Sequence, residues 1–349
     1  MNAALRYGAA VLLAIAAAAA PLASRAGVGL MQLPGVASDG PVTVFYPTAS
    51  AGRPILRGPF TIRAAENATP VRGNGRLIVV SHGSGGTPWV HSDLARALVD
   101  AGFTVAFPEH HEDNGRDPSR PGPESWKRRP LEVSSAIDAV GRWPQLANLL
   151  ALDRVGMYGM SAGGHTALSL AGGRWSAAGV RRHCEAHIAE DFNSCAGLAT
   201  QLHGDMLDGL KMQATLAVFR LFVRDDTPQA HHDPRIAAIV AGVPYAADFD
   251  MASLAQPRVP LGLVTSGLDK WLVPRFHSDR VLAACRAHCE LIAHLPSGGH
   301  AALLSPPPPP SVLGRVAADL LADPPGFDRA ELPAVDQKIV AFFRARLLP

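Results

Sequence analysis

The residues of this sequence that could most directly do chemistry lie in the segment Gly159-Met160-Ser161-Ala162-Gly163. The apolar run before it predicts a buried strand, and the run after it predicts a helix. A serine between such a strand and helix lies on a sharp turn with its hydroxyl exposed, and the two glycines remove side chains that would crowd that turn. The pattern therefore predicts a nucleophilic serine at position 161.

A glycine-rich segment further upstream could bind negative charge. Residues 76–81 predict a buried strand, which continues directly into His82-Gly83-Ser84-Gly85-Gly86. In a serine hydrolase, a loop of this kind donates one of the two backbone N–H groups that bind the oxyanion. We predict Ser84 N–H and Ala162 N–H as these two donors. A phosphate-binding loop is disfavoured because no Lys-Ser or Lys-Thr pair follows the glycines.

Strands and helices alternate around both segments. Strands are predicted at residues 42–47, 59–63, 76–81, 103–107, 154–158, 235–241, 260–267 and 289–295, helices at 92–101, 131–143 and 335–348, and a Pro/Arg-rich loop at 116–129. This alternation predicts an α/β fold in which helices flank a mostly parallel central sheet on both faces.

Residues 173–232 do not continue the alternation, although residues 181–190 and 206–224 look helical. We predict that this segment is a helical cap, inserted after the helix that follows Ser161 and folded over the cleft. Its second helix carries five apolar residues that either pack the cap onto the core, which we favour, or line an acyl site: Leu216, Val218, Phe219, Leu221 and Phe222.

On these residues the chain resembles the α/β-hydrolases, and within them the dienelactone-hydrolase-like and platelet-activating-factor-acetylhydrolase-like branch. The resemblance rests on the loop at residues 82–86, the turn at 159–164 and two later segments at 260–274 and 289–300. It implies the α/β-hydrolase fold from about residue 42 to the C-terminus, less the insertion. Dienelactone hydrolases use cysteine as their nucleophile, and Ser161 departs from that pattern.

The resemblance also implies partners for Ser161. In the hydrolases that the chain resembles, an acid after the strand at residues 260–267 orients the catalytic histidine, and Asp269 matches that position. Asp248 and Asp250, after the preceding strand, are the alternatives. His300 follows in a glycine-rich loop at the end of the next strand, and it is the one histidine of 14 that follows the acid at a strand end.

Together these features predict an exported serine hydrolase that cleaves carboxylic esters, with short-chain or phospholipid-type acyl esters as the leading substrates. Ser161, His300 and Asp269 would act through an acyl-enzyme, with no metal and no cofactor. The expected partner is a small-molecule or lipid ester. Two alternatives stay open: a peptidase or acyltransferase that uses the same triad, and a non-catalytic binding module that keeps the fold.

Charge and the N-terminus indicate where the protein acts. The formal net charge is +2 over 349 residues, which does not suggest a nucleic-acid partner. Residues 1–26 combine Arg6, an apolar run and a small-x-small cleavage site, so we predict a signal peptide and a periplasmic or secreted hydrolase domain at 27–349. After cleavage, the mature domain would have no stable membrane insertion. The alternative is that residues 1–26 remain as an uncleaved membrane anchor. The sequence specifies no oligomeric state.

Export would place the four cysteines in an oxidising compartment. Their spacing favours two disulfides, Cys184–Cys195 and Cys285–Cys289. For the first pair a metal site is the alternative, because acids and histidines lie nearby: His183, His187, Glu190 and Asp191.

A second group that could bind a metal follows the strand at residues 103–107. It holds His110 and His111 with three acids, Glu109, Glu112 and Asp113. The group matches no zinc motif, and no helix fixes its geometry. We therefore favour a polar wall of the substrate cleft there.

Overall fold

The protein is described by a computed structural model that covers residues 27–349, so the predicted signal peptide at 1–26 lies outside the described residues. The strands are β1 (Gly27–Leu33), β2 (Val42–Thr48), β3 (Arg53–Arg57), β4 (Phe60–Glu66), β5 (Leu77–Ser81), β6 (Thr104–Pro108), β7 (Val155–Met160), β8 (Arg174–Trp175), β9 (Ile236–Gly242), β10 (Phe249–Asp250), β11 (Leu261–Ser266) and β12 (Cys289–Leu295). The α-helices are α1 (Ser92–Asp100), α2 (Pro123–Arg142), α3 (Pro144–Ala147), α4 (Ala162–Leu170), α5 (Ala177–His187), α6 (Phe192–Ala196), α7 (Asp208–Phe222), α8 (Ser278–Cys285), α9 (Arg315–Leu321) and α10 (Leu332–Leu347).

Ten of these strands form one sheet in the order β12-β11-β9-β7-β5-β6-β2-β1-β4-β3. The strands from β12 to β6 run parallel to their neighbours, and β2 pairs antiparallel with β6. The ends of β5 and β7 coincide, because Ser81 pairs with Gly159. The loops that follow the parallel strands therefore meet at one edge of the sheet, where α/β sheets bind ligands.

Helices cover both faces of the parallel strands. Along β5, Leu77 and Val79 face the core that includes α2 and α4, whereas Ile78 and Val80 face the core that includes α1 and α10. All five residues of β5 and all six of β7 are buried. Burial on both faces explains why these strands are nearly continuous apolar runs.

The structure confirms the predicted α/β fold class and most of the predicted elements. It adds β1 and β3, which the sequence analysis missed, and it corrects the predicted loop at residues 116–129. In the structure α2 already begins at Pro123, and the bulky side chains of Trp126 and Arg129 are buried. A proline suits the first turn of a helix because the N–H that it lacks would be unpaired there.

Residues 173–232, the predicted insertion, hold β8 and the helices α5, α6 and α7. Leu216 of α7 is buried and Phe219 packs against the core, as the favoured alternative predicted. Val218, Leu221 and Phe222 are instead 54–78% exposed, so these three side chains do not pack the insertion onto the core.

Both predicted disulfides are present. Cys184–Cys195 joins α5 to α6, and Cys285–Cys289 joins the end of α8 to the start of β12. Among the described residues, the helices are all too short or too polar to cross a membrane.

The pH dependence of stability provides a test of the packing of α10. Burial, and then the charge of Asp93, raise the pKa of Asp336 to about 7. The folded protein therefore holds this proton more tightly than the unfolded chain, where an aspartate has a pKa of about 4. The resulting stabilisation is complete below about pH 4 and is lost as the pH rises through about 7.

We therefore expect Asp336→Asn, which cannot ionise, to unfold at a higher temperature than the native protein at pH 8 and at nearly the same temperature at pH 4. Differential scanning calorimetry across this range would measure the two differences. Asp279→Asn, at an exposed position on α8, is the control and should show much less dependence on pH. An equal effect of Asp336→Asn at both pH values would contradict the raised pKa of Asp336 in the folded protein.

Candidate active site

Ser161 lies between β7 and α4 with a strained backbone. Its φ is 59° and its ψ is −117°, in a region that residues with a side chain rarely adopt. Three backbone hydrogen bonds hold it there: Ser161 N–H donates to Gly242 O, while Ser161 O accepts from His165 N and Tyr245 N. The turn is therefore fixed from α4 and from the end of β9.

The two glycines of the turn are required by close contacts. A Cβ at Gly159 would lie 1.9 Å from the carbonyl oxygen of Gly163. A Cβ at Gly163 would lie 1.9 Å from the carbonyl oxygen of Ser81, at the end of β5. The spacing seen in the sequence thus has a steric cause, because α4 can begin beside β5 only where the side chains are missing.

Ser161, His300 and Asp269 form a continuous chain of hydrogen bonds. Nε2 of His300 lies 2.9 Å from Oγ of Ser161, and its Nδ1 lies 2.8 Å from Oδ2 of Asp269. Because the carboxylate can only accept, Nδ1 carries the proton and Nε2 is left free to accept from the serine hydroxyl. The other carboxylate oxygen, Oδ1, accepts from the backbone N–H groups of Trp271 and Leu272 at 2.8 Å each. Asp269 and His300 are buried, while Ser161 is partly exposed.

The two alternative acids are bonded elsewhere. Oδ2 of the buried Asp248 lies 3.1 Å from Nε2 of His165, whose ring is buried in α4 and stacks on Trp126. Asp250 is exposed and pairs with Arg174. Within the described part of the chain, Asp269 is the acid that His300 contacts.

The predicted oxyanion donors belong to Ala162, which directly follows Ser161, and to Ser84 in the loop after β5. Ala162 is the first residue of α4, so its N–H has no partner four residues earlier in the helix. Ser84 follows Gly83, at which an added Cβ would lie 3.8 Å from Oγ of Ser161. The loop after β5 and the start of α4 therefore meet at the serine hydroxyl.

Solved structures with similar architecture bear on the fold. A ferulic acid esterase from Streptomyces cinnamoneus aligns with a TM-score of 0.58 and 14% identity, covering 94% of this chain and 92% of that chain. The chain has the α/β-hydrolase fold. A putative dienelactone hydrolase from Klebsiella pneumoniae subsp. pneumoniae MGH 78578 aligns at 15% identity over 90% of this chain and 97% of that one. Its TM-score of 0.47 is too low to support the fold assignment. No family profile and no curated protein sequence matches the chain.

Within this α/β-hydrolase fold, one buried cluster has the composition of a metal site. Oδ2 of Asp191 lies 2.8 Å from Nε2 of His183 and 3.0 Å from Nε2 of His277. The backbone N–H of Ala246, however, donates to Nδ1 of His277 at 3.0 Å. Nε2 of His277 must then carry a proton, and it has no lone pair for a metal. His187 and Glu190, the other members of the alternative metal set, lie on the exposed surface.

This cluster instead connects the insertion to the loop that carries Asp269. Asp191 precedes α6 in the insertion, and it also accepts from the backbone N–H of Val273 and from Oγ of Ser194. Burial alone would raise the pKa of Asp191, but hydrogen bonds from His183 and His277 hold it below its usual value. The carboxylate is therefore ionised and joins three segments of the chain.

A second Ser–His–acid arrangement lies behind the glycine-rich loop. Nε2 of His110 lies 2.8 Å from Oγ of Ser81, and its Nδ1 lies 2.6 Å from Oε2 of Glu132. All three residues are buried, and burial lowers the pKa of His110 well below its usual value. A substrate cannot reach this serine, so the arrangement supports the strand end.

The predicted polar wall after β6 therefore needs correction. His110 and Asp113 are fully buried and contact the glycine-rich loop, whereas Glu109, His111 and Glu112 are partly exposed. Arg129, which no sequence motif indicated, is fully buried on α2 and contacts the same loop. Its sequence signal was ambiguous, because it lies in a charged, proline-containing stretch that resembles a surface loop.

A separate cavity of about 690 Å³ lies between β8 and α5 of the insertion and the segment that carries β10. Its walls include Arg174, His183 and the two alternative acids, Asp248 and Asp250, but not Ser161, His300 or Asp269.

The close contact at the turn predicts the effect of adding one methyl group. Gly163→Ala would force α4 away from β5, so we expect a loss of about 1–3 kcal/mol in the free energy of unfolding. Gly209→Ala, in α7, adds the same methyl group where no atom lies within 4 Å. This control should be neutral or stabilise by up to about 1 kcal/mol, because alanine favours a helix more than glycine does. Urea denaturation of both variants would measure the difference, and equal effects would contradict the steric argument.

Proposed function

We propose that this protein is a serine hydrolase that cleaves carboxylic esters, with Ser161 as nucleophile, His300 as general base and Asp269 as the acid that orients the histidine. The observation that carries the proposal is the chain of hydrogen bonds from Ser161 Oγ through both nitrogens of His300 to Asp269, at 2.9 and 2.8 Å. A nucleophile, a base and an orienting group within hydrogen-bond reach are what such catalysis requires.

The first step is attack on the ester carbonyl. His300 Nε2 takes the hydroxyl proton as Ser161 Oγ bonds to the carbonyl carbon, and the charged carboxylate of Asp269 stabilises the imidazolium that forms. The carbonyl oxygen becomes an oxyanion, which accepts from Ser84 N–H and Ala162 N–H. The imidazolium then gives its proton to the leaving alcohol, and the acyl-enzyme remains.

The second step releases the acid. His300 removes a proton from a water molecule as the water attacks the acyl carbon, and the same two N–H groups hold the second oxyanion. Collapse of this intermediate breaks the bond to Ser161 and returns the proton to Oγ. The residues supply every proton transfer in this scheme.

We define the proposed substrate class by the bond that is cleaved, which is a carboxylic ester. The architecture resembles that of a ferulic acid esterase, which supports an ester as substrate. Short-chain or phospholipid-type acyl esters lead among these. We also propose that the insertion acts as a cap, since its Asn193 donates to the carbonyl of Lys270, next to Asp269, and its Glu190 pairs with Arg275.

Export and signal-peptide cleavage complete the proposal. Two disulfides join four cysteines of the domain, and disulfides persist in oxidising compartments. A periplasmic or secreted location would keep both bonds intact.

Hydrolysis of a p-nitrophenyl ester series, from acetate to palmitate, tests the proposal. We expect the native protein to hydrolyse either the short-chain or the long-chain esters of the series. Ser161→Ala should lose about 10⁴-fold or more in kcat. Ser119→Ala changes an exposed serine in the loop before α2 and should behave as the native protein does. A fluorophosphonate probe should label the native protein and Ser119→Ala but not Ser161→Ala. Near-normal turnover by Ser161→Ala would contradict the assignment of the nucleophile, and an unlabelled native protein would favour a binding module.

The acid can be tested separately. Asp269→Asn keeps the shape of the side chain but removes the charge that stabilises the imidazolium, so we expect kcat to fall by about 10³–10⁴-fold with little change in the unfolding temperature. Asp250→Asn, at the exposed alternative, should retain most of the activity. A larger loss in Asp250→Asn than in Asp269→Asn would reverse the assignment.

A further inference from the structure

We propose that Arg129 and Asp113 are positioning residues that fix the direction of the Ser84 N–H group, and that they thereby set the strength of the oxyanion site. The inference rests on the proposed function, because it concerns how one of the proposed donors is held. Neither residue is hydrogen-bonded to Ser161, His300 or Asp269, so each acts through the loop after β5.

The guanidinium of Arg129 is fully buried and every nitrogen is bonded. Nε donates to Oγ of Ser125 at 2.9 Å, and Nη1 donates to the carbonyl oxygen of His82 at 2.5 Å. Nη2 donates to the carboxylate of Asp113 at 2.8 Å and to its backbone carbonyl at 3.2 Å. A buried cation is tolerated only when it is paired and hydrogen-bonded. Here part of that pairing is with the backbone of the proposed oxyanion loop.

The carbonyl of Gly83 is held from three directions. It accepts from Gly86 N at 3.0 Å, from His82 Nδ1 at 2.8 Å, and from Arg129 Nη2 at 3.5 Å. This carbonyl belongs to the same peptide unit as the Ser84 N–H, and in a planar trans peptide the C=O and N–H point in opposite directions. Fixing the carbonyl on the side of Arg129 therefore fixes the N–H on the opposite, open side of the loop.

Asp113 holds the next part of the loop. Its Oδ1 accepts from the Ser84 hydroxyl at 2.5 Å and from Gly85 N at 3.0 Å, while its Oδ2 pairs with Arg129. Burial alone would raise the pKa of Asp113, but the charge of Arg129 and the hydrogen bond from Ser84 lower it below its usual value. The carboxylate therefore stays charged, and the Ser84 side chain and the Gly85 N–H are both turned towards it. Ser84 N–H is left without a protein acceptor within the part of the chain that the structure describes.

A role in positioning differs measurably from a role in stability alone. An oxyanion forms only in the transition state, so a misdirected Ser84 N–H should lower kcat and leave KM nearly unchanged. It should also weaken binding of a trifluoromethyl ketone, because the ketone forms an oxyanion when Ser161 adds to it. A loss of stability alone would lower the unfolding temperature without changing either quantity in the folded fraction.

Arg129→Lys is the test variant. Lysine keeps the charge, but its single nitrogen cannot replace the planar fork from which Nε, Nη1 and Nη2 reach three separate acceptors. We expect kcat to fall about 10–100-fold, KM to change less than about 3-fold, and the inhibition constant of the trifluoromethyl ketone to rise by the same factor as kcat/KM falls. The control is Arg235→Lys, before β9, where the arginine makes similar bonds to Asp138 and Asp233. It should lose stability but keep its kcat.

Each outcome decides the proposal. If Arg129→Lys folds and retains both kcat and ketone affinity, the positioning role is overturned and the proposed function stands. If Arg129→Lys does not fold, Ser84→Ala decides. It keeps the backbone N–H but removes the hydroxyl that bonds to Asp113, so kcat and ketone affinity should fall together by several-fold, and unchanged values would overturn the role. If the native protein hydrolyses no ester and does not react with the fluorophosphonate probe, the proposed function fails and this inference fails with it.

Discussion

The arrangement at the carboxyl edge of the sheet depends on one backbone constraint, the positive φ of Ser161. Such a conformation costs on the order of 1–3 kcal/mol for a residue with a side chain, so its surroundings must hold it. Hydrogen bonds to Gly242 and Tyr245 hold it from the end of β9. The glycines at 159 and 163 let α4 rest against β5. The buried sheet thus supplies the stability that the strained turn requires.

The exposure of the serine hydroxyl, more than the hydrogen-bond geometry, distinguishes Ser161 from the similar Ser–His–acid arrangement at Ser81. Ser81, His110 and Glu132 repeat the hydrogen-bond pattern of Ser161, His300 and Asp269, and they differ chiefly in accessibility. A serine that no substrate can reach serves the structure. Short sequence motifs and distances between side chains are therefore incomplete guides until the exposure of the hydroxyl is known.

The helix α2 connects the interior of the molecule to this edge. It contributes Arg129, which donates to the carbonyls of His82 and Gly83 in the loop after β5, and Glu132, which is hydrogen-bonded to His110 and His111 in the loop after β6. Charged groups so deeply buried are expensive unless they are paired, and here Arg129 and Glu132 are paired with backbone and side-chain groups of these two loops. The buried polar groups of α2 therefore order these loops, while Val133 and Ile137 of the same helix lie in the apolar core.

The sequence by itself determined the parallel strands, the turn at Ser161 and the order of the serine, acid and histidine, because apolar runs and glycine spacing are local properties. It did not determine which acid each histidine meets. His300 contacts Asp269 31 residues away, His165 contacts Asp248 83 residues away, and His277 contacts Asp191 86 residues away. Nor did it place Arg129, because a buried arginine and a surface arginine look the same in sequence. Only the tertiary structure decided these pairings, since contacts between distant segments form when the sheet brings its loops to one edge.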